Sequence, residues 1–243
     1  MLVTVTDFGA DGPYLAQLHA AALARAPGLP ILDLFTAAPA FNPRATAHLL
    51  AAYVPDMPPA SVIVGVVDPG VGSAREAVAV QAGGRWFVGP DNGLFAVVAA
   101  RADGAAAWRL AWPEPAASAT FHGRDIFAPA AAALARGERP LGAALDAGRD
   151  LVGAAGPDEL HEIIHIDGYG NAMTGLRAAE HPADAELRVN GRALPRRRTF
   201  SDVPPGAPLC YENANGLLEI AVNAGRADAD LGLAIGTPVQ IGG

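Results

Sequence analysis

The sequence is poor in residues on which several common chemistries depend. Of 243 residues one is cysteine, 6% are aromatic and none is lysine. The lone Cys210 excludes an internal disulfide and a cysteine-rich zinc site. Without lysine there is no phosphate-loop lysine. Gly70-x-Gly72-x-x-Arg75 lacks the third glycine of a dinucleotide fingerprint and does not follow the first strand, so ATP and NAD chemistry have little support. Basic charge is scarce too. A net charge of -8 argues against a nucleic-acid partner, whose capture rests on neutralising phosphates. The one basic run, Arg196-Arg197-Arg198, reads as a solvated hairpin. No apolar run reaches the ~18 residues that span a bilayer. Met1 to Thr6 leads into a polar turn with no basic leader or cleavage site, so a soluble, cytoplasmic protein without a membrane partner is expected.

What is present alternates. Leu2–Thr6, Pro30–Phe35 and Ser61–Val67 read as strands, the last a β-branched run suited to burial on both faces. Pro13–Ala26, Pro43–Val54, Asn92–Ala102 and Asp125–Gly137 carry helical spacing, and Ala77–Gln81 with Arg85–Gly89 flank Gly83-Gly84 as a hairpin. This alternation predicts an α/β domain over residues 1–150, a mostly parallel sheet flanked by helices. Past residue 155 the texture becomes short strands between Gly, Asn and Pro turns: Glu159–Asp167, Ala172–Arg177, Glu186–Gly191, Leu217–Asn223 and Thr237–Ile241. That predicts a C-terminal antiparallel β-barrel domain over 156–243. The Gly- and Ala-rich stretch from Glu138 to Pro157 reads as the linker.

His161-Glu162-Ile163-Ile164-His165 has the zinc-protease spacing, but that chemistry needs both histidines on one helix face. Here the segment reads as a strand, in which residues four apart lie ~13 Å from each other. Asp7, at the end of the first strand, either accepts the cis-diol of a ribose or caps the following helix. Asp68 and Arg75, on either side of a glycine turn, read singly as an ion pair, and His122 before a helix reads as a backbone contact. Pro90-Asp91-Asn92-Gly93 reads as a tight turn entering a helix.

Taken in order, T-D-F-G from Thr6, D-P-G-V-G from Asp68 with Arg75, P-D-N-G from Pro90, S-x-T-F-H-G-R-D-x-F-A-P from Ser118, D-x-Y-G-N from Asp167 and the strand from Asn213 to Asn223 span nearly the whole chain. The set resembles the S-adenosylmethionine hydroxide adenosyltransferase family, relatives of the bacterial fluorinase and chlorinase. The resemblance implies hydrolysis of S-adenosylmethionine to adenosine and methionine, with no metal and no cofactor. It also implies a homotrimer whose active sites lie between the N-terminal domain of one subunit and the C-terminal domain of its neighbour. Carried over by motif, Asp68, Arg75 and His122 would activate water, and Asp7 would hold the ribose with Phe41 packed on the sugar. Asp167 and Asn171 would take the methionine end, Tyr169 would stack on adenine, and Asn215, Glu219 and Val222 would face the adenine edge. Halogenases replace the aspartate and histidine retained here as Asp68 and His122, which favours water over halide as nucleophile. A halogenase-like transferase and a non-catalytic S-adenosylmethionine or adenosine sensor are the alternatives. The chain departs from the family pattern at Gly12 (often aspartate), Phe35 (commonly histidine) and Gly175 (usually asparagine); Gly12 bears on methionine-end binding.

Overall fold

A computed structural model describes residues 1–112 and 117–242, and the chain divides into two compact units, Met1–Gly156 and Pro157–Gly243. Among the described residues no helix is long and apolar enough to cross a membrane.

The first unit runs β1 (Leu2–Thr6), α1 (Tyr14–Arg25), β2 (Ile31–Phe35), α2 (Pro43–Tyr53), β3 (Val62–Val66), β4 (Ala77–Ala82), β5 (Arg85–Pro90), α3 (Ala96–Ala100), β6 (Ala106–Leu110), α4 (Ala128–Ala135) and β7 (Leu141–Leu145). Its seven strands form one sheet in the order β2-β1-β3-β5-β4-β6-β7. The joins β2–β1, β1–β3 and β3–β5 are parallel, and the hairpin β4–β5 turns the rest antiparallel. β1 and β3 are buried along their whole length because successive side chains feed opposite cores. Val3, Val5 and Ile63 face a cluster with Leu50 and Phe87, while Leu2, Val62 and Val64 face one with Leu18 and Phe127. Each such side chain contributes about 1.5–3 kcal/mol when fully buried. α2 begins where the residues dictate: the Asn42 side chain accepts from Ala45 N at 2.9 Å, and Pro43 occupies the first turn.

The chain passes from β1 to β2 on one side, then crosses back to β3 on the other. The order therefore reverses between β1 and β3, and their carboxyl ends flank the crevice where open α/β sheets bind ligands. Asp7 follows β1 and Asp68 follows β3.

Three readings of this unit need correction. The Glu138–Pro157 stretch is no linker: Leu141–Leu145 forms β7 against β6, with Leu141 and Leu145 packed on opposite cores. Its Leu-Gly-Ala-Ala-Leu pattern carries little strand propensity, and pairing with β6 decides its structure. The helix expected over Asn92–Ala102 shrinks to α3, because Asn92 and Gly93 (φ +95°) are spent in the turn before it. The helix expected over Asp125–Gly137 opens as one wide π turn, Gly123–Phe127, before α4.

The second unit comprises β8 (Leu160–Ile166), β9 (Ala172–Arg177), β10 (Glu186–Val189), β11 (Arg192–Leu194), β12 (Pro208–Glu212), β13 (Leu217–Val222), α5 (Ala227–Leu231) and β14 (Val239–Gly242). They form two antiparallel sheets, β12-β13-β9-β8 and β11-β10-β14, around a core that includes Ile163, Leu176, Leu187 and Ile220. Single bridges, Glu162–Pro238 and Arg196–Cys210, link the sheets at their edges. His161 and His165 lie on β8, a strand as expected. Arg196 departs from expectation: its side chain is 11% exposed, and its guanidinium donates to the carbonyls of Ala178, His181 and Pro182.

Candidate active site

The loop after β3 is a succession of tight turns. Val71 N donates to Asp68 O, Ser73 N to Gly70 O, and the Ser73 hydroxyl accepts from Arg75 N. These turns fold Arg75 back onto Asp68. Arg75 Nε lies 3.0 and 3.1 Å from the two carboxylate oxygens of Asp68, and Nη2 also donates to Oδ2. Both side chains are buried, Asp68 at 4% exposure and Arg75 at 11%, and the guanidinium rests 5.1 Å from the Phe127 ring centroid. Fork geometry of this kind fixes orientation as well as charge.

Arg75 Nη2 also lies 2.9 Å from His122 Nδ1. A guanidinium has only donors, so Nδ1 accepts, and the neutral imidazole carries its proton on Nε2. Burial and the charge of Arg75 hold the imidazole below its ordinary pKa of 6.5, against the opposing pull of Asp68 and Asp125. The ring is thus neutral, with Nε2–H free of the Arg75 contact. The loop before His122 is fastened by Asp125, whose Oδ2 accepts from Ser118 N at 2.8 Å while Arg124 holds both carboxylate oxygens.

Asp7 accepts from Phe41 N at 3.0 Å. Phe41, 78% exposed, takes a left-handed conformation (φ +56°), and the Asp7 contact ties down that strained backbone. Burial raises the Asp7 pKa, Phe41 N–H opposes the rise, and the charge of Asp68 adds to it. A cleft of about 100 Å³ is lined by Asp7, Phe41, Asp68, Phe121, His122 and Gly123 among others, with Arg75 behind Asp68 and His122. Phe8, Tyr14 and Phe121 form a mutual aromatic cluster beside it, with ring centroids 5.6–5.9 Å apart.

In the second unit, Asp167 organises its own turn. Its Oδ1 accepts from Tyr169 N and Asn171 N, both at 2.9 Å, and its Oδ2 accepts from Asn171 Nδ2 at 3.1 Å. The turn presents Tyr169 80% exposed. Arg226 Nη1 donates to Gly168 O at 3.0 Å, and Asp228 N to Gly170 O. Glu219 lies on β13 at 3% exposure, close enough for Asp167 to raise its pKa further beyond the larger effect of burial. The Val222 side chain belongs to the hydrophobic core, so only its backbone is left to meet a ligand.

The structure thus unites Asp68, Arg75 and His122 in one hydrogen-bonded set, and joins Asp7 and Phe41 to the same cleft. Sequence reasoning missed two supports. Asn92 Nδ2 donates to Val67 O at 2.9 Å, fixing the backbone next to Asp68; P-D-N-G signalled only the turn. Tyr211 and Asn213 both donate to Glu219, a contact that needs the β12–β13 register.

Fold and cleft define a two-unit α/β protein with a buried acid–guanidinium pair joined to an imidazole at the switch point of a parallel sheet. Residues 2–143 match the SAM hydroxide adenosyltransferase N-terminal domain, and residues 161–240 match the corresponding C-terminal domain. The chain belongs to the SAM hydroxide adenosyltransferase family. It is 43% identical to an (R)-S-adenosyl-L-methionine hydrolase of Thermus thermophilus over 98% of this chain and 97% of that one. It is 41% identical to a protein of the same name from Salinispora arenicola, over 93% and 91% of the two chains. An uncharacterized conserved protein from Thermotoga maritima, known from its crystal structure, shares the fold with a TM-score of 0.88 at 30% identity and full coverage of both chains.

Proposed function

We propose that this protein hydrolyses S-adenosyl-L-methionine to adenosine and L-methionine, by in-line attack of a water molecule on the ribose C5′. The observation that carries the reading is the Asp68–Arg75–His122 set opening onto the cleft that Asp7 shares. Membership of a family whose curated relatives bear the hydrolase name supports it.

The atoms balance simply. The C5′–O bond forms as the C5′–S bond breaks, and its electron pair returns to sulfur, leaving the neutral thioether of methionine. That leaving group needs neither a proton nor a metal, and no cofactor enters. The burden falls on holding water in line, where positioning is worth most. His122 Nε2–H donates to the water oxygen, and the Asp68 carboxylate accepts one of its hydrogens. The proton lost on attack passes toward Asp68 and on to solvent. The sulfonium charge stabilises developing hydroxide in the same confined space. Asp7 accepts the ribose hydroxyls, which places C5′ against the water. Asp68 also sets the choice of nucleophile, because a buried carboxylate beside the site repels halide.

Incubation with S-adenosylmethionine yields adenosine and methionine in equal amounts, unaffected by EDTA and by added chloride. A 5′-halo product without adenosine supports the transferase alternative instead. Binding with no product over hours at saturating substrate supports the sensor.

The cleft of about 100 Å³ is smaller than the roughly 300–1,000 Å³ typical of ligand sites. We accordingly propose the homotrimeric assembly that the family resemblance implies, with Asp167, Tyr169 and Asn171 of a neighbouring copy completing each site. Light scattering returns three times the monomer mass of 24.7 kDa. A monomeric mass with full activity overturns the assembly and leaves the chemistry standing.

A further inference from the structure

Glu219 is a carboxylate in the middle of a strand buried along its whole length, and the reaction above makes no use of its charge. Both of its oxygens take neutral donors. Tyr211, directly opposite on β12, donates its hydroxyl to Oε1, and Asn213 Nδ2 donates to Oε2 at 2.8 Å. The other end of the Asn213 amide is equally committed. Its Oδ1 accepts from Asn215 N and from Leu217 N, both at 3.0 Å. The backbone closes the same turn, with Asn213 N donating to Leu217 O and Gly216 N to Asn213 O.

These bonds have a direction. An amide has one donor end and one acceptor end, and the turn works only with the acceptor end toward Asn215 and Leu217. Turned over, Asn213 would point its NH2 at two backbone N–H groups. The acceptor at Glu219 Oε2 excludes that orientation. Such a network is favourable only when every member is satisfied. Burial raises the Glu219 pKa, and the geometry tolerates either protonation state, since the Tyr211 hydroxyl can rotate to accept a proton on Oε1.

We infer that Glu219 is a positioning residue: it orients the Asn213 amide, and that amide builds the turn which presents Asn215 to the substrate. Glu219 does not read the adenine edge itself, because its side chain is shut from solvent. This assignment rests on the S-adenosylmethionine reading for the identity of the ligand, and on geometry alone for the turn.

Reversing the polarity tests it. Asn213→Asp replaces the donor to Glu219 with a second carboxylate, and at a pH high enough that the two share no proton, KM for S-adenosylmethionine rises about tenfold while kcat changes by less than about twofold. Adding Glu219→Gln restores the pattern in mirror form. The introduced amide donates to the introduced carboxylate, and its carbonyl takes the Tyr211 hydroxyl. The outer oxygen of that carboxylate accepts from the backbone N–H groups of Asn215 and Leu217. The double variant returns KM to within about threefold of wild type, whereas Asn213→Asp with Glu219→Ala stays impaired. Amide hydrogen exchange without substrate gives a second reading: exchange at Asn215 and Leu217 accelerates about tenfold in Asn213→Asp and slows again in the double variant.

If wild type makes no adenosine yet exchange follows this cycle, the hydrolase reading fails and the turn assignment survives. If exchange follows the cycle but KM does not, the link from the turn to the substrate is overturned. A double variant whose exchange is no slower than that of Asn213→Asp overturns the positioning role altogether. Should Asn213→Asp not fold, Glu219→Ala supplies the test: Asn215 exchange rises about tenfold if Glu219 orients the amide, and unchanged exchange sinks the proposal.

Discussion

Replacing Arg75 with methionine lowers kcat for adenosine formation about 10³-fold, by removing two jobs at once. Methionine matches the length of the arginine stem and can keep the packing on Phe127, where the guanidinium now lies 5.1 Å from the ring centroid. It offers no donor. Asp68, 4% exposed, is left as a buried carboxylate without its partner, which costs about 3–5 kcal/mol of stability and lowers Tm accordingly. His122 loses the contact that keeps its proton on Nε2, so the ring no longer presents a fixed donor to water.

The pH profile separates this from simple loss of fold. In wild type, kcat declines on the acid side as His122 is protonated, because Nδ1 then carries a hydrogen that faces Arg75. Burial and Arg75 both disfavour the imidazolium, so that limb lies below 6.5. Without Arg75 one of these effects disappears, and the limb moves to higher pH. Measurements belong well below the variant's Tm, alongside adenosine affinity, which changes little. A loss in kcat smaller than tenfold, with the acid limb unmoved, means that the Arg75 relay does not hold the water.

The parts of this molecule that were legible in the sequence are those fixed by local pattern. Ser61–Val67 announces β3 by its β-branched run, and Pro43 announces the start of α2. Asp7 and Asp68 are legible as strand-end carboxylates because hydrophobic runs stop just before them. β6, β7, β11 and β12 are different. Their residues alternate weakly, and only pairing across the sheet makes them strands, as with Leu141 to Leu145 against β6. Contacts that depend on such pairing are hidden with them, which is why Asn213 and Glu219 were legible as members of one motif while the hydrogen bonds that join them to each other and to Tyr211 were not. At Val222 the motif named a position but not which part of the residue is offered: strand alternation sends its side chain to the core and leaves the backbone. The ordered motifs also could not reveal the tautomer of His122, which rests on the 2.9 Å approach of Arg75 Nη2.

Gly72→Ala is expected to lower kcat about 10²-fold while leaving KM within about threefold, although residue 72 makes no contact with a reacting group. Gly72 has φ +78°, and a Cβ there would stand 2.5 Å from the carbonyl oxygen of Ala119. The left-handed backbone alone costs an alanine about 1–2 kcal/mol. The collision matters more, because it lies between the two loops that form the site. One runs from Asp68 to Arg75, and the other leads to His122. The second loop cannot simply retreat, since Ser118 N is held by the Asp125 carboxylate at 2.8 Å. Displacement therefore falls on the Arg75–His122 contact, and misplacement of about 1 Å is enough for a hundredfold loss. Gly84→Ala at the β4–β5 hairpin is the matched control. Its φ of +74° imposes the same backbone strain, but nothing lies within 4 Å of the added carbon. Both variants lose stability by a similar backbone contribution, and only Gly72→Ala loses kcat. Equal kcat in the two variants means that the close approach of these loops does not assemble the water-holding set.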